Sequence, residues 1–166
     1  MNDIDGPATE PDLVYAEELA QQVGITHQLG DYLVTEEEIR AFARQWDPLP
    51  LHIGDGGHFG SVVASGVHTF AMFQRLAVAA VYSRWAVLAG RGLREMHLPS
   101  PVFPGDVLTG AVRVVAVEPP RKNRVRVELE GSLENQRGQT VFTVALDSYV
   151  HCRPASEPGR AQVATE

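Results

Sequence analysis

The sequence predicts an α+β domain in which one long helix packs against an antiparallel sheet. The segment from Val67 to about Trp85 lacks both Pro and Gly, and four later segments alternate apolar and polar residues in the manner of strands. The pieces between those segments are short and rich in turn residues, which favours antiparallel neighbours because parallel strands need a long crossover.

With 166 residues the chain is long enough to bury a core without disulfides or a structural metal, and one domain is expected. Residues 1–12 are acidic, contain two Pro and carry few large apolar side chains, so burial cannot offset their ordering entropy. They read as a flexible tail, as do residues 154–166, leaving a folded unit over residues 13–153.

Thr35-Glu36-Glu37-Glu38 has the form of a capping box and starts a helix, and Ile39, Phe42, Ala43 and Trp46 follow at the spacing of one buried face until Pro48 ends it. A Gly-rich connection, Gly54 to Gly60, leads to Ser65-Gly66 and the long helix. That helix carries apolar residues such as Val67, Phe70, Phe73, Leu76, Val78 and Trp85 on more than one face, which predicts burial on most sides. Strands are expected at Leu93–Leu98, Val107–Val117, Arg124–Leu133 and Thr140–Val150. Between them, Pro99–Asp106 holds three Pro, Glu118–Asn123 holds two, and Asn135–Gly138 suits a hairpin turn. Arg124, Arg126, Glu128 and Glu130 alternate with Val125, Val127 and Leu129, the signature of a sheet with one wet face.

The formal charge of −7 and pI near 5.3 oppose a nucleic-acid or anionic-membrane surface, both of which need clustered Lys and Arg. Cys152 is the single cysteine, so no internal disulfide forms, and the N-terminus lacks the basic and apolar regions of a signal peptide. No segment approaches the roughly 20 apolar residues of a membrane span. A soluble, cytoplasmic protein is expected.

The sharpest local feature is Asp47-Pro48-Leu49-Pro50-Leu51-His52, in which two prolines stiffen the path between a carboxylate and an imidazole. Such a pair suits acid/base work on water, because histidine titrates near neutral pH and a carboxylate orients it and stabilises its cation. The plainer alternative makes Asp47 a turn residue and His52 a structural histidine. Ala64-Ser65-Gly66 sits where the long helix begins, and the free N–H groups of a helix start can hold a developing oxyanion; here the alternative is an ordinary N-cap at Ser65. His58 and His68 flank the connection but show no ligand spacing, so no metal is expected. Cys152 has no activating motif and reads as a structural thiol. Arg121, Lys122 and Arg124 form a small basic cluster at a turn, read as solvated. Neither a phosphate-binding glycine loop nor a GxSxG elbow is present, and no cofactor is expected.

Phe42-Ala43-Arg44-Gln45-Trp46-Asp47-Pro48-Leu49-Pro50-Leu51-His52 resembles the hydratase 2 motif of MaoC-like dehydratases, with Asp and His at the family's spacing of five. The resemblance continues through Ala64-Ser65-Gly66-Val67-His68-Thr69 and Pro101-Val102-Phe103-Pro104-Gly105-Asp106-Val107-Leu108, and covers most of residues 15–153. It implies a hot dog fold, a long helix wrapped by a curved antiparallel sheet, paired with a second subunit so that the active site lies at the dimer interface. It also implies an (R)-specific enoyl-CoA hydratase activity on coenzyme A or acyl carrier protein thioesters. Asp47 and His52 then hold the water, and Gly66, beside Ser65, offers its backbone N–H to the thioester carbonyl. The expected assembly is a homodimer or higher homo-oligomer, with no nucleic-acid or membrane partner.

Two departures stand out: the family's usual Asn before the second proline is Leu49, and the connection from His52 to Gly66 is shorter than usual, with Gly54, Gly56, Gly57 and Gly60 where a short helix is common. The competing expectations are a non-catalytic partner subunit or acyl-binding module, and an acyl-CoA thioesterase. The absence of Asp or Glu between Ser65 and Trp85 weighs against the latter.

Overall fold

In the computed structural model the described residues are 13–154. The tails expected over 1–12 and 154–166 lie outside them, Pro154 excepted. Five helical and strand elements precede the long helix region's end: α1 (Ala16–Ala20), β1 (Thr26–Leu33), α2 (Glu36–Trp46), α3 (Pro50–Ile53) and α4 (Gly66–Ala80). Four strands follow, β2 (Val87–His97), β3 (Val107–Val117), β4 (Arg124–Glu134) and β5 (Thr140–His151). All pairings are antiparallel, in the order β1-β3-β4-β5-β2.

The alternating residues of β4 decide its two faces. Val125, Val127, Leu129 and Leu133 are buried on the concave side, while Arg126, Glu128 and Glu130 lie on the convex side. α4 crosses the concave face, and its buried residues Met72, Phe73, Leu76 and Ala77 join the strand residues in one core. Phe73 reaches deepest. Its ring centroid is 5.3 Å from that of Phe142 on β5, and a Cβ placed on Gly131 of β4 would fall 2.2 Å from its Cζ. Glycine at 131 is therefore what lets the ring lie flush on the sheet.

The β4–β5 turn is the expected one. Asn135 Oδ1 accepts from the N–H groups of Arg137 and Gln139 at 3.0 and 3.1 Å, and Gly138 adopts φ +72°. The β3–β4 turn closes with the Arg121 N–H donating to the Arg124 carbonyl at 2.9 Å.

Several expectations change. The long helix ends at Ala80 and not near Trp85: Val81 leaves helical geometry, Tyr82–Arg84 form a 3-10 turn, and Arg84 turns back onto the Ala80 carbonyl. Trp85 is thereby free to pack in the core beside α1, where the Ala86 N–H donates to Val14 O at 2.8 Å. Burial of α4 is one-sided within the chain, since Val67 and Val78 stay exposed. β2 begins six residues before the expected Leu93, and β1 and α1 were not expected at all. Thr35 does cap α2, accepting from the Glu38 N–H at 3.2 Å, but the Glu38 carboxylate does not close the box. It takes the Tyr32 hydroxyl and lies 3.5 Å from His68 Nε2.

Candidate active site

Three chain segments meet at the start of α4. α2 ends at Asp47, whose N–H still donates to Ala43 O at 2.9 Å while its own backbone leaves helical geometry ahead of Pro48. The chain then turns at once. The Leu49 N–H donates to Asp47 O at 2.8 Å, Pro50 takes the first position of α3, where a missing N–H costs nothing, and His52 lies within that short helix. The Asp47 carboxylate and the His52 imidazole face each other, Oδ2 to Nε2, at 3.6 Å; the side chains are 31% and 8% exposed.

The third segment fixes the ring. His52 Nδ1 is 2.6 Å from the Val63 carbonyl, and the Val63 N–H donates to Leu51 O at 3.2 Å. A carbonyl only accepts, so Nδ1 carries a proton and Nε2 is the ring nitrogen turned toward Asp47. With Nε2 unprotonated, it and Asp47 Oδ2 are both acceptors, and one water donating a hydrogen to each satisfies both.

One residue on, the Ala64 N–H donates to Val102 O at 2.9 Å, which ties the segment to the Pro101–Leu108 stretch. Asp106, buried in that stretch, accepts from the Phe103 N–H at 2.8 Å and braces it. Ser65 caps α4 by accepting from the His68 N–H at 3.2 Å, so the plain N-cap role is present. The N–H groups of Gly66 and Val67 find no acceptor among the described residues. A Cβ on Gly66 would meet Leu98 Cδ1 at 2.5 Å, so glycine lets the end of β2 close against the helix start.

α2 is the hub that holds these parts. Phe42 stacks on the His68 ring at 4.4 Å between centroids, which locks α2 to the first turn of α4. Burial lowers the pKa of His68 below the usual 6.5, with Glu38 opposing the shift, and raises that of Tyr32 to about 12. On the other side of α2, Arg40 Nη1 reaches the carbonyls of Ile53 and Gly54 at the end of α3. His58 stacks on Phe59 in the 3-10 turn Gly57–Phe59 of the connection. Cys152 is buried, and burial pushes its thiol pKa up, as suits a structural role. No group of three or more His, Cys, Asp or Glu among the described residues is arranged to hold a metal.

Sequence reading had not singled out Arg40, Val63 or Leu98. Arg40 forms an i,i+4 pair with Glu36, which looks like a solvated helix face, and a backbone carbonyl such as that of Val63 leaves no signature in the sequence.

The fold matches known proteins. The MaoC-like domain model matches residues 18–136, and the chain belongs to the MaoC-like dehydratase family, with its hot dog fold. A MaoC-like dehydratase from Rhodospirillum rubrum is 32% identical, with a TM-score of 0.74; the alignment covers 86% of this chain and 99% of that one. YdeM of Bacillus subtilis, an uncharacterised protein, is 28% identical over 113 residues, which is 66% of this chain and 80% of YdeM. The (R)-hydratase PhaJ1 of Pseudomonas aeruginosa is similar in fold, with a TM-score of 0.64 at 23% identity over 89% of this chain and 95% of PhaJ1.

Proposed function

We propose that this protein is a hydro-lyase that interconverts trans-2-enoyl and (R)-3-hydroxyacyl thioesters of coenzyme A or an acyl carrier protein. The observation that carries this is the opposed pair Asp47 Oδ2 and His52 Nε2, 3.6 Å apart, with the free N–H of Gly66 three residues along the chain from Val63, whose carbonyl holds the His52 ring. A water held by both donates its two hydrogens to them and keeps its oxygen lone pairs for attack. As the new O–C3 bond forms, the C2=C3 π electrons move toward the thioester oxygen, where the Gly66 N–H stabilises the enolate-like charge. One proton of the water passes to the Asp47/His52 pair, and a proton from the pair ends on C2. Dehydration runs the same path backward, and no step calls for a metal or organic cofactor.

The active form is a homodimer. β2 is an edge strand with every residue at least partly open to solvent, and Leu88, Leu93 and Met96 on it are exposed, as are Leu98, Val67 and Trp46 around the site. A second copy paired along β2 would extend the sheet and cover these residues.

A non-catalytic partner subunit is the second reading, and Leu49 favours it: this N-cap residue of α3 makes no side-chain hydrogen bond. The test is the loss of enoyl-thioester absorbance with crotonyl-CoA and longer trans-2-enoyl-CoA substrates. Asp47→Ala and His52→Ala should each lower turnover by roughly two to four orders of magnitude in folded protein. Near wild-type rates in either variant would overturn the assignment, and release of free thiol from saturated acyl-CoA would point to a thioesterase instead.

A further inference from the structure

Helices as short as α3, four residues, do not hold their shape alone, and their last carbonyls have no partner within the helix. In this chain the partner is a side chain from another helix. Arg40 Nη1 donates to Gly54 O at 2.9 Å and also to Ile53 O, the residue next to His52. The same guanidinium is anchored on its own helix, with Nε donating to Glu36 Oε1 at 2.8 Å and Nη2 lying 2.7 Å from that oxygen. A planar guanidinium spreads five donors over three nitrogens, so Nη1 serves the two carbonyls while Nε and Nη2 hold the carboxylate, a reach that the single nitrogen of a lysine lacks. The contact is close-fitting on the other side too, since a Cβ on Gly54 would fall 2.7 Å from Pro50 O.

The placement of Arg40 on α2 matters as much as its bonds. Arg40 lies near the middle of α2, and Asp47 is the C-cap of the same helix, seven residues on. α3 packs against α2, with its beginning linked to Asp47 through Pro48 and Leu49 and its end tied by Arg40. The length of α3 between those ties is where His52 sits. We propose that Arg40 is a positioning residue that sets the His52 imidazole opposite the Asp47 carboxylate, acting through the carbonyl end of α3. This rests on the reading of Asp47 and His52 as the acid/base pair. Without the clamp, the Ile53–Gly54 end of α3 loses its tie to α2, only the Val63 bonds to Leu51 and His52 remain on that side, and the 3.6 Å gap between His52 and Asp47 is held less firmly.

The experiment combines two readouts on Arg40→Met, Arg40→Lys and Glu36→Gln. The first is the imidazole proton NMR signal of His52, assigned by its loss in His52→Ala. The second is kcat and KM with crotonyl-CoA, with far-UV circular dichroism to confirm folding. In Arg40→Met the His52 signal should shift and broaden while that of His151, at the end of β5 opposite Arg124, stays in place; kcat should fall roughly 10- to 100-fold with KM changed less than about threefold. Arg40→Lys should lie between, and should serve in place of Arg40→Met if the latter does not fold. Glu36→Gln keeps the bonds to the carbonyls, so it should leave the His52 signal unmoved even where it lowers stability. An unmoved His52 signal in a folded Arg40 variant, or a wild-type kcat there, overturns the clamp. If wild-type protein shows no turnover that depends on His52, the hydratase reading falls alone, because the NMR signal still decides whether Arg40 positions the ring.

Discussion

Leu49 stands at the N-cap of α3, half-exposed; Pro50 has no N–H and the His52 and Ile53 N–H groups donate to Leu49 O, which leaves the Leu51 N–H without an acceptor among the described residues. Asn is among the best residues at such a position because its side-chain oxygen accepts from the second or third N–H. Leu49→Asn should therefore raise stability by about 1 kcal/mol, read from the urea midpoint at constant slope; no change would mean that α3 is held entirely from outside. Histidines give a second prediction at this scale. Burial is the main cause of the lowered pKa of both His68 and His27, with Glu38 opposing it at His68 and Arg84 adding to it at His27. Near pH 6.5 the unfolded chain takes up two protons that the folded chain still refuses, so stability falls as pH is lowered through about 6.5 and levels off below the folded values. Unfolding midpoints measured from pH 7.5 down to about 5 should show that decline, and the His27→Gln/His68→Gln double variant should flatten it.

At the scale of elements, the contact between α4 and β4 depends on the missing side chain at 131. The Cβ of Gly131→Ala would stand 2.2 and 2.5 Å from Cζ and Cε2 of Phe73, a fully buried ring with little room to retreat. The variant should lose about 1–3 kcal/mol, measured by chemical unfolding. The same glycine shows how legibility varied between elements. β3 and β4 were readable because their side chains alternate along most of their length, β5 because it is a β-branched and aromatic run bounded by turn residues, and α2 because Thr35, Ile39, Ala43 and Pro48 mark its cap, buried face and end. β1 was not, because only Leu29 is buried in it and Gly30, at φ +82°, puts a bulge into its pairing with β3. β2 was read only from Leu93 on, because two of its three register shifts against β5, at Val87/Ala89 and Gly90/Gly92, and its glycines break the alternation in its first half.

For the whole molecule, the open edge of β2 and the exposed apolar residues near the site argue for pairing between copies. Leu93→Glu combined with Met96→Glu should halve the mass measured by sedimentation and abolish turnover with it, if the dimer proposed above is the active form. A double variant that stays dimeric would move the interface elsewhere. The convex face is organised differently: Asp147, almost fully buried, is ringed by Arg91, Arg94 and Arg126 at 3.1–3.2 Å. These three arginines come from two strands that flank β5 on either side, β2 and β4, and fasten the sheet across its width.

The sequence by itself determined the α+β class, the chain order of its main elements, and the proximity of Asp47 to His52, because caps, alternation and a proline-stiffened link act over a few residues. It also placed Ser65 and Gly66 at the start of α4, since an N-cap is a local feature. Only the tertiary structure decided how the site is held. Val63 reaches His52 from 11 residues away and Arg40 reaches Ile53 from 13, through backbone carbonyls that every residue has and no sequence pattern marks. The early end of α4 belongs there too, because it depends on Trp85 finding its place in the core beside α1. Where a contact is made by a side chain with a distinctive neighbour, the sequence exposes it; where it is made to main chain across the fold, only the folded structure does.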